Sequence, residues 1–278
     1  MKINIDKYID DLISRIPTQE ESYARAQRNP NRLSAWYPAI KDLFRTPETA
    51  IVPITLDEYK WLRSDDYKQD AINDFTYTLI KRLEDQDFNL NRDLFIKTGS
   101  FSNKFRFDTC HVTNPHTLGE HALDVFYGGM LCSCPETTEF AVREFIHNDN
   151  DNRGSIYNGM PLNTEFRLFY DFDTHEHIIT CNYWDTNTML NAGGISDSER
   201  RVLEDTLPQI EADFAKLTPV LEADALPKLA QVQGLTGMWS VDFMHDGNDF
   251  WLIDMALAEQ SYFYDKALNV INDKKNQQ

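Results

Sequence analysis

At 278 residues, with 41% hydrophobic and 12% aromatic content, the chain is long enough for one large or two modest domains with a sizeable core. Its formal net charge of −18, from 27 basic and 45 acidic residues, argues against bulk attraction to nucleic acid or to an anionic membrane. No apolar run approaches the ~20 residues needed to span a bilayer, and the acidic, amphipathic start MKINIDKYIDDLISRI lacks the apolar core of a signal peptide, so a cytoplasmic chain with reduced cysteines is expected.

In chain order, residues 4–28 read as a helix with Ile5, Tyr8, Ile9, Leu12 and Ile16 on one stripe, broken by Asn29-Pro30-Asn31. The segment Ser34-Ala35-Trp36-Tyr37-Pro38 follows, and then a short strand, Ala50 to Ile54. Thr55 with Glu58 three residues on is a capping-box pattern. A longer helix is predicted over 66–85, with Ile72, Phe75, Thr76, Leu79, Ile80 and Leu83 inward.

Leu94-Phe95-Ile96-Lys97 reads as a strand that ends on a lysine and runs into the small polar loop Thr98 to Lys104. Ser100 and Ser102 with the backbone N–H groups of such a loop suit a phosphate, and Lys97 and Lys104 add point charges. An ordinary surface loop fits the same residues; neither GxxxxGK[ST] nor GxGxxG occurs.

A helix over 117–131 and a strand Phe140 to Ile146 come next, then a polar, Asn- and Asp-rich stretch over 147–159 that reads as a mobile loop or lid. Two further strands are predicted, Thr164 to Tyr170, with Glu165 and Arg167 on one face, and Ile178 to Trp184, which includes Asn182. Helices are predicted from Ser196 or Asp197 to about 217 and from 219 to 231, with a short C-terminal helix over 263–272.

Four cysteines, Cys110, Cys132, Cys134 and Cys181, include no Cys-x-x-Cys pair. A zinc set from Cys110, His111, Cys132 and Cys134 is conceivable, but inert thiols are the better reading.

Two apolar runs in WSVDFMHDGNDFWLIDMALAEQS (239–261) flank a turn signal, and each carries one acid, Asp242 and Asp254. Putting Trp239, Val241 and Phe243 on one face with Trp251, Ile253 and Met255 requires an odd loop of three or five residues. The acids then lie opposite each other, roughly 5 Å apart at Cβ. Two carboxylates that close repel unless a cation or a shared proton relieves them. A divalent metal, Mg²⁺ by its habit of taking carboxylates together with phosphates, is the functional reading.

The order of these features resembles the ATP-grasp superfamily: a strand lysine with a small-residue loop, the Arg143-Glu144-Phe145-Ile146 strand end, Glu165-Phe166-Arg167, then an Asp–Asp hairpin. Within it, the chain is similar to the eukaryotic cell-division-cycle ATP-grasp proteins that assist assembly of translation initiation factor two. That similarity is carried by Trp36-Tyr37-Pro38, Ile51 to Ile54, Phe95 to Lys104, Glu165 to Arg167 and Trp251 to Ala256. The resemblance implies an α+β fold of two subdomains with mostly antiparallel sheets clamping ATP, plus an N-terminal helical and mixed region. We divide it as 1–92, 93–147 and 148–278.

The resemblance further implies that Glu144, Phe145 and Ile146 form an adenine hinge and that Lys97, Ser100, Ser102, Lys104, Arg167 and Asn182 serve the nucleotide. Lys97 and Arg167 would be the catalytic cations, and Asp242 and Asp254 would hold Mg²⁺. Arg143 is open to two partners, phosphate or acids of the sheet. One departure stands out: Ala256 occupies the position two residues after the metal acid where the family has asparagine, with Glu259, Gln260 and Ser261 as candidate substitutes. The expected activity is an ADP-forming ligase that acts through an acylphosphate on an unidentified carboxylate. The alternatives are an ATP-binding adaptor for a protein partner and a small-molecule kinase. In the ligase reading the loops 147–160 and 185–196 are the candidates to line an acceptor pocket, and Arg153 is the most useful cation in them.

Overall fold

A computed structural model describes residues 16–64, 67–134, 136–148 and 153–276. The first fifteen residues of the chain, and with them most of the stripe expected from residue 4, lie outside the described residues. The described remainder is α1, Gln19–Ala26, opened by a capping box in which Thr18 and Glu21 each receive the other's backbone N–H. Helix α2, Leu33–Ile40, buries Leu33, Trp36 and Ile40.

Strand β1 is Thr49–Pro53, and α3, Leu56–Leu62, starts with the expected box of Thr55 and Glu58. Helix α4, Gln69–Glu84, turns Phe75, Thr76, Leu79 and Leu83 inward and leaves Ile72 and Ile80 half-buried. Next come β2 (Leu94–Thr98), β3 (His111–Val112), α5 (Leu118–Leu131) and β4 (Glu139–Glu144). The four strands form an antiparallel sheet in the order β1-β4-β2-β3. Strand β1 makes one edge, so this layer is shared between the expected N-terminal region and the expected 93–147 unit.

Alternation sorts the sheet's two faces. Ala50, Val52, Leu94, Ile96, Phe140 and Val142 enter a core with α4 and α5. Phe95, Lys97 and Arg143 sit at the intervening positions, on the opposite face. Phe145 and Ile146 fall beyond β4 rather than within a strand: the Phe145 N–H has turned to the Asp93 carbonyl at 3.0 Å.

A two-residue ladder, β5 (Ser155–Ile156) with β6 (Met160–Pro161), leads into the second sheet. That sheet comprises β7 (Thr164–Asp171), β8 (Glu176–Asn182), β9 (Met238–His245) and β10 (Phe250–Leu257), antiparallel in the order β10-β9-β7-β8. Short α6, Thr186–Leu190, precedes α7, Asp197–Leu229. The chain's described residues end in α8, Tyr264–Asn276. Phe166, Leu168, Val241, Phe243, Leu252 and Met255 pack with α2 and α7 in a second core.

Two expectations need correction. The pair of helices predicted around residue 218 is a single helix, α7, which runs through Pro208, Pro219 and Pro227. Each proline gives up one backbone hydrogen bond, but the stripe Leu203, Leu207, Ile210, Leu221, Ala225 and Leu229 stays buried across all three. The hairpin loop is also not odd. His245 pairs with Phe250, leaving the four residues 246–249. Asp246 organises them, accepting from the Asn248 and Asp249 N–H groups and the Trp251 indole. A β-bulge between Leu252 and Asp254 then inserts one residue, Ile253, and restores the parity that the loop broke. Asp242 faces Asp254 as expected, while Leu252, not Trp251, shares the core face with Phe243.

Close packing of α4 on α5 depends on Gly119. A Cβ there would lie 2.3 Å from Thr76 Oγ1 and 2.8 Å from the Ile72 carbonyl, and the Gly119 N–H donates to Thr76 Oγ1 at 3.1 Å. Gly119→Ala is therefore expected to lower unfolding stability by roughly 1–3 kcal/mol, the usual toll of overpacking, measured by urea titration against wild type.

Candidate functional site

The inner faces of the two sheets meet across a cleft of ≈ 200 Å³. From the first sheet come Phe95, Lys97 and Arg143. From the second come Glu165, Arg167, Asp242, Met244 and Asp254. Ser102, Lys104, Phe107, Phe145, Ile146, Asn163 and Tyr183, from outside the strands, and Met160 of β6 add to the wall.

Strand register builds the centre. Arg167 on β7 lies directly across from Asp242 on β9, and Asp242 lies directly across from Asp254 on β10. Arg167 holds Asp242 in a two-pronged bond, Nε to Oδ1 at 2.8 Å and Nη2 to Oδ2 at 2.7 Å. Lys97, reaching over from the first sheet, donates to Asp254 Oδ2 at 2.7 Å. The row across the cleft is thus Arg167, Asp242, Asp254, Lys97, with each end cation neutralising one of the two central acids. Lys97 is 2% exposed and Asp254 38%, so the pair opens to solvent on the acid's side. Burial opposes the charge on Arg167, and Asp242 outweighs it, so its guanidinium is held above its ordinary value.

The Thr98–Lys104 loop is fixed by its backbone. The Gly99 N–H bonds to the Glu139 carbonyl, Leu33 N–H to the Gly99 carbonyl, and Thr98 N–H to the Phe101 carbonyl. Asn103 takes a left-handed conformation with φ of 49°, and its amide bonds Thr109 Oγ1 at 2.8 Å. This turn sends Lys104 under the second sheet, where its ammonium bonds the Tyr183 hydroxyl and lies 3.7 Å from that ring's centroid. Burial opposes the Lys104 charge, and Tyr183, Glu165 and Asp242 together raise its pKa above the ordinary value.

At the other end, Phe145 and Ile146 line the cleft beside Phe95 and Phe107. The Glu144 carboxylate is anchored by Arg92 Nη1 at 2.6 Å and by the Glu48 N–H at 2.9 Å. Arg143 is 4% exposed; its Nε donates to Thr49 Oγ1 at 3.0 Å and its Nη1 to the carbonyl of Ile253, the bulge residue. Burial holds its guanidinium below the ordinary value, with Asp254 acting the other way.

Of the residues expected here, Lys97, Ser102, Lys104, Arg143, Glu144, Phe145, Ile146, Arg167, Asp242 and Asp254 all line the cleft. Ser100 and Asn182 do not. The Ser100 hydroxyl is buried without a hydrogen-bond partner among the described residues, and Asn182 Oδ1 accepts the Trp184 N–H, fixing the end of β8. Arg153 is also elsewhere, locked to Thr164 Oγ1 and to Asp213 on α7. The position beside Ala256 is filled by hydroxyls: Ser240, its cross-strand neighbour, bonds Ser261 at 2.6 Å, while Gln260 accepts from Asn31. Glu259 is exposed.

Among the described residues no three His, Cys, Asp or Glu side chains converge as a metal set. All four cysteines are free thiols, with burial raising Cys110 to about 12 and Cys134 to about 11. Two facing carboxylates remain, a donor set that suits Mg²⁺ only together with further oxygens such as phosphate.

Tyr183 and Glu165 are among the wall residues missing from the expected set. Tyr183, inside the strand expected to reach Trp184, lies just past the end of β8, so strand alternation did not assign it to the cleft. Glu165 was visible as the face-mate of Arg167. It is 8% exposed, and burial, reinforced by Asp242, pushes its pKa up to about 7 against Lys104 and Arg167. A carboxyl raised this way binds its proton more tightly folded than unfolded. Its folded-state advantage is present below about 4.5 and is lost as pH rises towards about 7. Relative to Glu165→Gln, wild type should lose on the order of 1–3 kcal/mol of stability over that window, read from unfolding curves of both proteins between pH 4.5 and 7.5; parallel curves would remove the assignment.

Neither a family model nor a curated protein matches the chain. Solved structures do resemble it. C-terminally truncated Cdc123 from Schizosaccharomyces pombe matches with a TM-score of 0.50 at 17% identity, over 82% of this chain and 83% of that one. Cdc123 from the same organism matches at 0.49 and 17%, over 82% and 84%. D-alanine–D-alanine ligase from Bacillus anthracis, complexed with ATP, matches at 0.38 and 10%, over 87% and 64%. At such identities the likeness is one of fold. It bears out the expected α+β fold, which the chain shares with Cdc123.

Proposed function

We propose, from the ATP-grasp fold that the chain shares with Cdc123, that the cleft between the sheets binds ATP with Mg²⁺. The observation that carries the reading is the row Arg167, Asp242, Asp254, Lys97, which sets two carboxylates and two cations on facing sheets of one cleft. Lys97 and Lys104 would meet phosphate oxygens, and Arg167 would add charge beside them. Phe95, Phe145 and Ile146 offer the apolar slot that a purine needs. Asp242 and Asp254 would hold Mg²⁺, which supplies charge neutralisation on the phosphates when bound.

The chemistry that fits this arrangement is an ADP-forming ligase. A substrate carboxylate oxygen would form a bond to the γ-phosphorus as the bond to the β–γ bridging oxygen breaks, giving an acylphosphate and ADP. A nucleophile would then displace phosphate from the acyl carbon. The cleft's cations stabilise the transferring charge, and no protein nucleophile is needed.

A second reading, an ATP-binding adaptor for a protein partner, has specific support. Arg153 is committed to Asp213 and Thr164, and among the described residues of 185–196 none lines the cleft. Ala256 also lacks the ligand oxygen that the family places there. Product analysis after incubation with MgATP and a pool of carboxylic acids separates the two: ADP release supports the ligase, while tight MgATP binding without ADP supports the adaptor.

The nucleotide reading itself is tested by Asp254→Asn. The substitution frees Lys97 and removes one metal carboxylate, so calorimetry should show MgATP affinity reduced at least tenfold, with metal-free ATP bound as well as by wild type or better. Unchanged MgATP affinity would sink the assignment.

A further inference from the structure

Behind the apolar end of the cleft lies a cluster of ionisable groups for which the nucleotide reading has no use. Phe95, Phe107 and Phe145 line the cleft there, and two histidines rest against Phe145. The His111 ring lies 4.5 Å from the Phe145 ring and stacks on Phe107 at 5.5 Å. The His147 ring meets Phe145 at right angles, at 4.9 Å. Both imidazoles turn Nε2 to the same atom, Asp93 Oδ2, at 3.6 and 3.7 Å. The backbone carbonyl of Asp93 meanwhile accepts the Phe145 N–H at 3.0 Å. One aspartate therefore holds the backbone of a wall residue and faces the two rings packed on its side chain.

The cluster is short of hydrogen bonds. Both Nε2–Oδ2 separations lie just beyond bonding reach, and His111 Nε2 is buried without a hydrogen-bond partner among the described residues. Burial holds the His111 imidazole below its ordinary value, with His147 and His121 acting alongside it and Asp93 against. His121 comes from α5, its Nδ1 bonded to the Thr109 carbonyl at 2.9 Å. Cys110, the neighbour of His111, is a buried thiol raised to about 12, and Arg92, the neighbour of Asp93, is turned to Glu48 and Glu144.

A proton taken up from solvent makes Nε2 a charged donor aimed at the carboxylate. Closing that gap to a charge-assisted bond shifts the ring on the two phenylalanines it rests against. A flat ring entering the slot does the reverse: it covers Phe107 and Phe145, takes water further from His111 and disfavours its charge.

We propose that Asp93, His111 and His147 form a proton-operated clasp on the aromatic end of the cleft: proton uptake draws the histidines onto Asp93, moves Phe145 and loosens the slot for a flat ring. Occupancy and protonation then oppose each other, by linkage in both directions. The inference rests on the ATP reading only for the identity of the occupant.

The test is nuclear magnetic resonance on the full chain, labelled at histidine and phenylalanine and titrated from pH 8 to pH 5, with Phe145→Leu to identify the Phe145 amide. In wild type that amide should shift with the midpoint of His111. Asp93→Asn keeps the backbone carbonyl and removes the carboxylate, so His111 should titrate at lower pH and the Phe145 step should shrink severalfold. An equal Phe145 step in Asp93→Asn, or none in wild type, overturns the proposal. His147→Ala alters a mostly exposed side chain and guards against an aspartate variant that fails to fold. Removing its charge should raise the His111 midpoint, and an unchanged midpoint would overturn the sharing of Asp93.

Calorimetry with adenosine, which carries no phosphate to titrate, reads the slot. Affinity should fall severalfold from pH 7.5 to 5.5 in wild type and much less in His111→Phe, which keeps a ring on Phe107 and Phe145. Equal falls in both proteins, or tighter binding at pH 5.5, would overturn the coupling. Wild type that binds no adenosine at either pH would remove the purine reading and leave the clasp to be decided by the Phe145 titration.

Discussion

Two carboxylates on neighbouring strands, Asp242 and Asp254, are the constraint that the rest of the cleft answers. Directly opposed acids repel, and in a cleft with apolar walls water screens them poorly. Here the relief comes from the protein. Arg167, on the neighbouring strand of the same sheet, takes Asp242 with both prongs of its guanidinium. Lys97 crosses from the other sheet to take Asp254. The second contact also joins the two layers, so neutralising the acid pair and docking the sheets are one event. Removing one partner of the buried Arg167–Asp242 pair would leave an uncompensated charge, a loss of roughly 3–5 kcal/mol in comparable settings.

The acids come to face each other by way of two irregularities. A four-residue loop shifts the β9–β10 hairpin out of the parity that its apolar residues need beyond Leu252, and the bulge at Ile253 shifts it back. The bulge leaves a carbonyl free to point away from the ladder, and Arg143 takes it. An odd loop would have paired the acids too. In the observed hairpin it is the bulge residue on the edge strand that supplies the contact between the sheets.

Much of this was legible in the sequence because it is written in alternation. Lys97 and Phe95 share a face, as do Glu165 and Arg167, and the opposed acids follow from the apolar triplets around them. The capping boxes at Thr55 and Ser196 mark helix starts by local chemistry alone. What escaped depends on tertiary choice. Loop length and bulge trade against each other at equal parity, so the hairpin's register could be read but not its path. The prolines of α7 argue for a break, yet the buried stripe from Leu203 to Leu229 outweighs them. Asn182 and Arg153 are polar residues of the right type whose local partners, the Trp184 N–H and Asp213, claimed them first.

The charge state of the cleft sets what binding has to do. Lys97, Arg167, Asp242 and Asp254 are mutually satisfied, so an anion alone gains little from Lys97 unless Asp254 is given another cation, and a cation alone gains little from Asp254 unless Lys97 is given another anion. Phosphate and a divalent ion arriving together exchange one internal pair for two external ones at no net loss of neutralised charge. Under the proposed reading, nucleotide and metal would favour each other's binding through the Lys97–Asp254 contact itself, reciprocally by linkage. The same argument would separate binding from turnover: binding would draw only on the two acids and the cations already in place, whereas the hydroxyl pair Ser240–Ser261 stands beside Ala256, where the resemblance implies a further metal ligand.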